Sequence, residues 1–207
     1  MKITTHHKHL GDLINIIQRL KFDEIFTSDY CPCCGNSVEK TVSDLLTILK
    51  LPIKLSNNNK NSNIVFPSWN NSNVSWIKEP YIKPHIIINK KNLISYQFDA
   101  RSNRENKELK INDKKKFELK FPDAIDLGEK SGLSIIDKFE KICASHIYVG
   151  IDSGVTHLAM MTNTTCFVIH KEEYKVDRFY PDTPQIEFFS CLDKMINKIN
   201  AYKIKMK

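Results

Sequence analysis

The stretch Ser134–Ala159, SIIDKFEKICASHIYVGIDSGVTHLA, carries a helix, a strand, a tight turn and the start of a second helix. Ser134 with Asp137 three positions later is a cap-like helix start. Ile135, Ile136, Phe139, Ile142 and Cys143 then recur at helical spacing. His146–Ile151 reads as a buried strand, and Asp152–Gly154 as a tight connection into a short helix over Val155–Met161. Thr165–Ile169 is the next strand. A closing helix is expected from about Glu187, because Phe188, Leu192, Met195, Ile196 and Ile199 form an apolar stripe.

The same alternation opens the chain. Lys2–His6 predicts a strand, and Leu13, Ile16, Ile17 and Leu20 place one apolar face on a helix over Gly11–Lys21. Glu24–Ser28 predicts a second strand, followed by the turn-rich Asp29–Asn36. Ser37 is a candidate cap for a helix to Lys50 carrying Val42, Leu45, Leu46 and Leu49, which Leu51-Pro52 stops. Strands alternating with helices favour an α/β layered fold. The polar tracts Ser56–Asn63 and Asn70–Asn73 predict exposed loops on either side of a short strand, Ile64–Phe66. Pro80 and Pro84 flank an expected boundary between a unit over residues 1–80 and another over 84–207. After it, His85–Ile88 and Leu93–Phe98 are β-like, the second as a strand with two different faces.

Composition narrows the function. The 207 residues include 31 Lys and Arg against 24 Asp and Glu, a formal charge of +7, and 41% are hydrophobic, enough for a packed core. No apolar run approaches the ~20 residues of a bilayer span. Asp12 interrupts the apolar run Leu10–Ile17, so no secretory signal is expected. With no export signal, the six irregularly spaced cysteines read as reduced thiols in the cytoplasm. Six scattered glycines exclude a G-x-G-x-x-G fingerprint and a Walker A loop. Lys107–Lys120 holds six lysines against three acids. Such a run is usually a solvated face; contact with an anionic membrane or, less expected, with nucleic acid is the other use it allows.

The turn Asp152-Ser153-Gly154-Val155-Thr156-His157 follows a strand and opens a helix, where backbone N–H groups favour an anion. Gly154 leaves room for a phosphate, Ser153, Thr156 and His157 are donors, and Asp152 suits sugar hydroxyls or the loop itself. Together they suggest a ligand with both phosphate and hydroxyls, such as a nucleotide sugar. A capped helix start with a half-buried histidine accounts for the same residues equally well.

These residues resemble the signature of glycosyltransferase family 9, the heptosyltransferase-like group. Its pattern of apolar helix, strand and D-S-G-x-x-H-L-A is matched in register by Asp152, Ser153, Gly154, His157, Leu158 and Ala159. Gly11-Asp12 resembles the family's G-D motif at the first helix, and Asp99–Arg104 resembles a donor-phosphate loop after a strand. The resemblance implies a GT-B-like fold of two Rossmann-like layers, here with a reduced N-terminal domain on the acceptor side. It also implies an inverting, metal-independent hexosyl- or heptosyltransferase-like enzyme of bacterial surface glycan or lipopolysaccharide synthesis. Asp12 would be the general base. Arg101, Ser102, Arg104, Asp152, Ser153, Gly154, Thr156 and His157 would hold the nucleotide-sugar donor, with no cofactor. His9 and Gly11 would lie toward a glycan or lipid-linked acceptor, in the cytoplasm or at the inner face of the membrane. The chain departs from the pattern in being short, in Val155 and Thr156 where proline and methionine are usual, and in residues 105–120, which replace a longer helix-plus-strand segment.

Cys31-Pro32-Cys33-Cys34 includes a C-x-x-C, with His6, His7 and His9 nearby in sequence. No second C-x-x-C closes a zinc ribbon, so no structural metal is expected. Beside the transferase stand two alternatives: a non-catalytic or repurposed sugar-nucleotide-binding protein, and a glycosyltransferase acting on nucleic acid.

Overall fold

The computed structural model describes residues 2–5, 10–19, 24–27, 38–52, 54–56, 81, 83–84, 88–90, 92–99, 109–170, 180 and 183–205. The architecture is α/β, with two parallel sheets among the described residues. The smaller sheet has the order β1 (Lys2–Thr5), β2 (Glu24–Thr27), β3 (Lys54–Ser56), with Ile3 beside Ile25 and Ile25 beside Leu55. The larger has the order β5 (Ile125–Asp126), β4 (Asn92–Gln97), β6 (Ser145–Ile151), β7 (Thr165–Ile169), β8 (Ile186–Phe189). Among the described residues the α-helices are α1 (Leu10–Arg19), α2 (Val38–Leu49), α3 (Ile111–Lys120), α4 (Ile135–Cys143), α5 (Gly154–Met160) and α6 (Leu192–Lys205).

Local chemistry explains most element limits. Ser134 Oγ accepts the Asp137 N–H at 3.1 Å while the Asp137 carboxylate accepts the Ser134 N–H at 3.0 Å, a reciprocal cap on α4. Lys50 ends α2 in the left-handed region, φ 52°, and the Leu51 N–H reaches back to the Leu46 carbonyl at 3.2 Å. Pro52 then prevents the helix from resuming.

Two apolar cores flank the larger sheet. On one face, Ile94, Tyr96 and Phe98 join Ile147, Val149 and Ile151, covered by Phe117 of α3 and Met195 and Ile199 of α6. On the other, α4 and α5 meet α1 and α2. Leu13, Ile14 and Ile17 of α1 and Val42, Leu45 and Leu49 of α2 pack in one cluster with Phe139, Ile142, Tyr148 and Leu158. Tyr81, beside the proline pair of the expected boundary, belongs to this cluster and is 4% exposed.

One expectation is corrected. Residues 186–189 form strand β8, with Glu187 beside Phe167, and the last helix begins only at Leu192. Four residues are too few for periodicity to separate strand from helix, and pairing with β7 decides. Within residues 105–120, the stretch read as replacing a longer helix-plus-strand segment, lies helix α3, which leads into the short strand β5. Ile94, Tyr96 and Phe98 join one apolar core while Ser95 and Gln97 alternate with them, the two different faces expected of this strand, and all five are buried because helices cover both sides of the sheet. The expected strand Ile64–Phe66, the Asp29–Asn36 loop and the Ser37 cap lie outside the described residues.

Candidate functional site

The turn after β6 is closed by its own side chains. Ser153, in extended conformation, caps α5 by accepting the Thr156 N–H at 3.3 Å. The Thr156 hydroxyl donates to the Ile151 carbonyl at 2.6 Å and lies 3.1 Å from the Tyr148 hydroxyl. Ser153 Oγ donates at 2.5 Å to Gln97 Oε1, at the end of the neighbouring strand. Gln97 Nε2 in turn donates to the Asp99 carboxylate at 3.0 Å, and Asp99 Oδ2 accepts the Glu129 N–H at 2.8 Å. This chain of bonds joins the carboxyl ends of β4 and β6 to the turn after β5, the edge at which parallel α/β sheets bind ligands.

His157 is 6% exposed and held from two sides. Its Nδ1 shares a hydrogen bond with the Tyr81 hydroxyl at 2.9 Å, and the Tyr180 ring stacks on it at 4.5 Å and 10°. The Tyr180 hydroxyl donates to Asp152 Oδ1 at 2.7 Å. Burial, and then the Asp152 carboxylate, raise the Tyr180 pKa well above its ordinary value, so the phenol stays a donor. Burial likewise raises that of Tyr148.

Two glycines bring α1 against this turn. A β-carbon on Gly154 would stand 2.7 Å from Leu10 Cβ and 2.9 Å from the Gly11 nitrogen. One on Gly11 would stand 2.8 Å from His157 Cδ2. Both distances are shorter than carbon side chains tolerate, so only glycine at each position lets the helix starts touch. Gly154 was expected to admit a phosphate; in this structure its bare backbone admits α1. Ser153 and Thr156, expected as donors to a ligand, use their hydroxyls to hold the turn.

Asp152, Ser153, Gly154, Thr156 and His157 are thus brought together with Gly11, and Asp12 follows Gly11 on α1. His9, Arg101, Ser102, Arg104 and the cysteines at 31, 33 and 34 lie outside the described residues, as do His6 and His7. Among the described residues no group of three His, Cys, Asp or Glu side chains is placed to hold a metal ion. Sequence reading missed Tyr81, Gln97 and Tyr148; Tyr180 falls in Tyr174–Pro184, a stretch after a strand that reads first as an ordinary surface loop and otherwise as the nucleoside side of a pocket. The one available signal was Tyr148 itself, a phenol inside an apolar strand, which needs a buried hydrogen-bond partner.

No protein-family model and no curated protein matches the chain. Solved structures do. The iron-containing dodecameric glycosyltransferase TibC from enterotoxigenic E. coli H10407 aligns with a TM-score of 0.54 and 14% identity, over 92% of this chain and 62% of TibC. A dodecameric iron-containing heptosyltransferase TibC in complex with ADP-D-beta-D-heptose aligns with a TM-score of 0.53 and 14% identity, over 91% of this chain and 62% of that one. The likeness shows a GT-B-like α/β fold. The chain spans less than two thirds of the length of these neighbours.

Proposed function

We propose that this protein is a glycosyltransferase that moves a sugar from a nucleoside diphosphate donor to a hydroxyl acceptor with inversion. The observation that carries the reading is the contact of Gly11 with His157 and Gly154. It joins the G-D start of α1 to the D-S-G-x-x-H turn, two motifs far apart in sequence. The fold shared with TibC, one form of which holds ADP-heptose, supports it. Asp12 takes the proton of the acceptor hydroxyl. The oxygen bonds to the anomeric carbon while the bond from that carbon to the diphosphate breaks, and the diphosphate leaves with the electron pair. Arg101 or Arg104 balances the charge that grows on it, so the step is proposed to need no metal. The acceptor is a glycan or lipid-linked hydroxyl of a bacterial surface, reached from the cytoplasm.

The internal bonds of Ser153, Thr156 and His157 favour one second reading, a sugar-nucleotide-binding protein without turnover. One experiment separates the two. A panel of nucleoside diphosphate sugars is tested for thermal stabilisation and for release of free nucleoside diphosphate, with and without EDTA. Stabilisation and turnover by one donor, with kcat lowered roughly 10²–10⁴-fold in Asp12→Asn and donor affinity kept, is the expected result. Stabilisation without turnover supports the second reading. If no donor stabilises the protein, both fall; turnover unchanged in Asp12→Asn removes the base from Asp12, and turnover abolished by EDTA removes metal independence.

A further inference from the structure

Helix α3 turns Phe117 inward, fully buried against Phe98 and Phe121, and presents a different kind of face outward. Ile111 is 65% and Leu119 84% exposed, and among the described residues no other large hydrophobic side chain is exposed. Ile111, Lys115 and Leu119 stand at i, i+4 and i+8, so they form one line along the helix. Lys116 and Lys120 run beside that line, and a shallow groove lined by both, by Leu119, and by Asp193 and Ile196 of α6 lies along it. From Lys110 to Lys120 there are five lysines and two acids. Of the acids at this face, Glu118 lies 3.8 Å from Lys114 and accepts the Tyr96 hydroxyl, and Asp193 of α6 pairs with Lys116 at 2.5 Å. Lys115 and Lys120 make no ion pair with a described residue.

We infer that the outer face of α3 is a docking surface for an anionic lipid bilayer. Two exposed aliphatic side chains alone, or a few lysines alone, bind membranes weakly; together they supply the two contributions that stable peripheral binding requires. Complementarity decides among occupants. A second copy presenting the same face would set lysines against lysines, and a nucleic acid gains nothing from Ile111 and Leu119. A bilayer with acidic headgroups accepts both, the aliphatic tips at the acyl boundary and the ammonium groups among the phosphates. The surface lies on the opposite side of the larger sheet from α5 and the turn that precedes it, so this inference stands apart from the proposed activity.

The test is flotation of the full chain with vesicles of phosphatidylcholine alone or with roughly one third phosphatidylglycerol. All four positions are exposed, so Ile111→Ser/Leu119→Ser and Lys115→Glu/Lys120→Glu keep the core, which circular dichroism checks. The wild type is expected to float with the acidic vesicles only and to be released by high salt. Each double variant is expected to lose about tenfold or more of the binding. Absence of vesicle binding, binding unchanged by Ile111→Ser/Leu119→Ser, or equal binding to neutral vesicles overturns the inference. So does a wild type that instead binds an RNA oligonucleotide, or sediments as a dimer dissolved by Ile111→Ser/Leu119→Ser.

Discussion

At the scale of single residues, the turn after β6 works by excluding side chains as much as by supplying them. Gly154→Ala sets a methyl group 2.7 Å from Leu10 Cβ and 2.9 Å from a backbone nitrogen that cannot rotate away. Separation of α1 from α5 should cost about 1–3 kcal/mol, the range for overpacking, read as a lower urea midpoint with an unchanged slope. A Gly154→Ala protein as stable as wild type would mean that the two helix starts do not touch. Tyr180→Phe keeps the ring on His157 and removes only the bond to Asp152. A loss of about 1–2 kcal/mol is expected, since the acceptor is a carboxylate that is partly hydrated. The motif at 152–157 was legible from its residue types, whereas Tyr81 and Tyr180 were not. They lie 76 and 23 positions away from His157 in the chain, and no spacing rule links them to it.

At the scale of elements, α4 depends on its reciprocal cap. Ser134→Ala should destabilise the protein by about 1 kcal/mol near neutral pH, measured by denaturant titration. The hydrogen bonds from Ser134 hold the Asp137 carboxyl below its ordinary value of 3.8. Its folded-state pKa being depressed, that contribution is present above pH 4 and is lost as the pH falls through the lowered value, so the penalty of Ser134→Ala should shrink in acid. On β6, burial and then Lys90 hold His146 below its ordinary 6.5. The unfolded chain therefore binds the proton more readily, and stability should fall as the pH drops below about 6.5. His146→Gln should flatten that part of the stability–pH profile; an unaltered profile would assign it to other groups. The helix and strand of this unit were readable in advance because capping and apolar runs are local. Strand β8 was not, since its identity rests on hydrogen bonds to β7.

At the scale of the whole molecule, one apolar cluster joins residues from Leu13 to Tyr180. Leu13 is fully buried where α1 enters that cluster, so Leu13→Ala should cost about 2–5 kcal/mol. Because the cluster draws on helices beside both sheets, calorimetry should show a single transition that shifts as a unit in the variant. Two separated transitions, with only the lower one moved, would show that the sheets unfold independently.

Apolar periodicity, caps and the D-S-G-x-x-H run were enough to announce alternating strands and helices, an α/β fold and the position of the turn after β6. Those signals arise within a few residues of chain, where backbone hydrogen bonding and side-chain spacing act directly. What the glycines do was decided only by the tertiary fold. Gly11 and Gly154 resemble ligand-binding glycines in a linear reading, but their bare backbones serve first to let α1 and α5 meet. The same holds for the hydroxyl of Ser153, whose partner Gln97 is brought beside it by strand order, whereas Thr156 finds the Ile151 carbonyl within the turn itself. Close approach and hydrogen-bond partnership depend on elements distant in sequence, and packing alone brings them together.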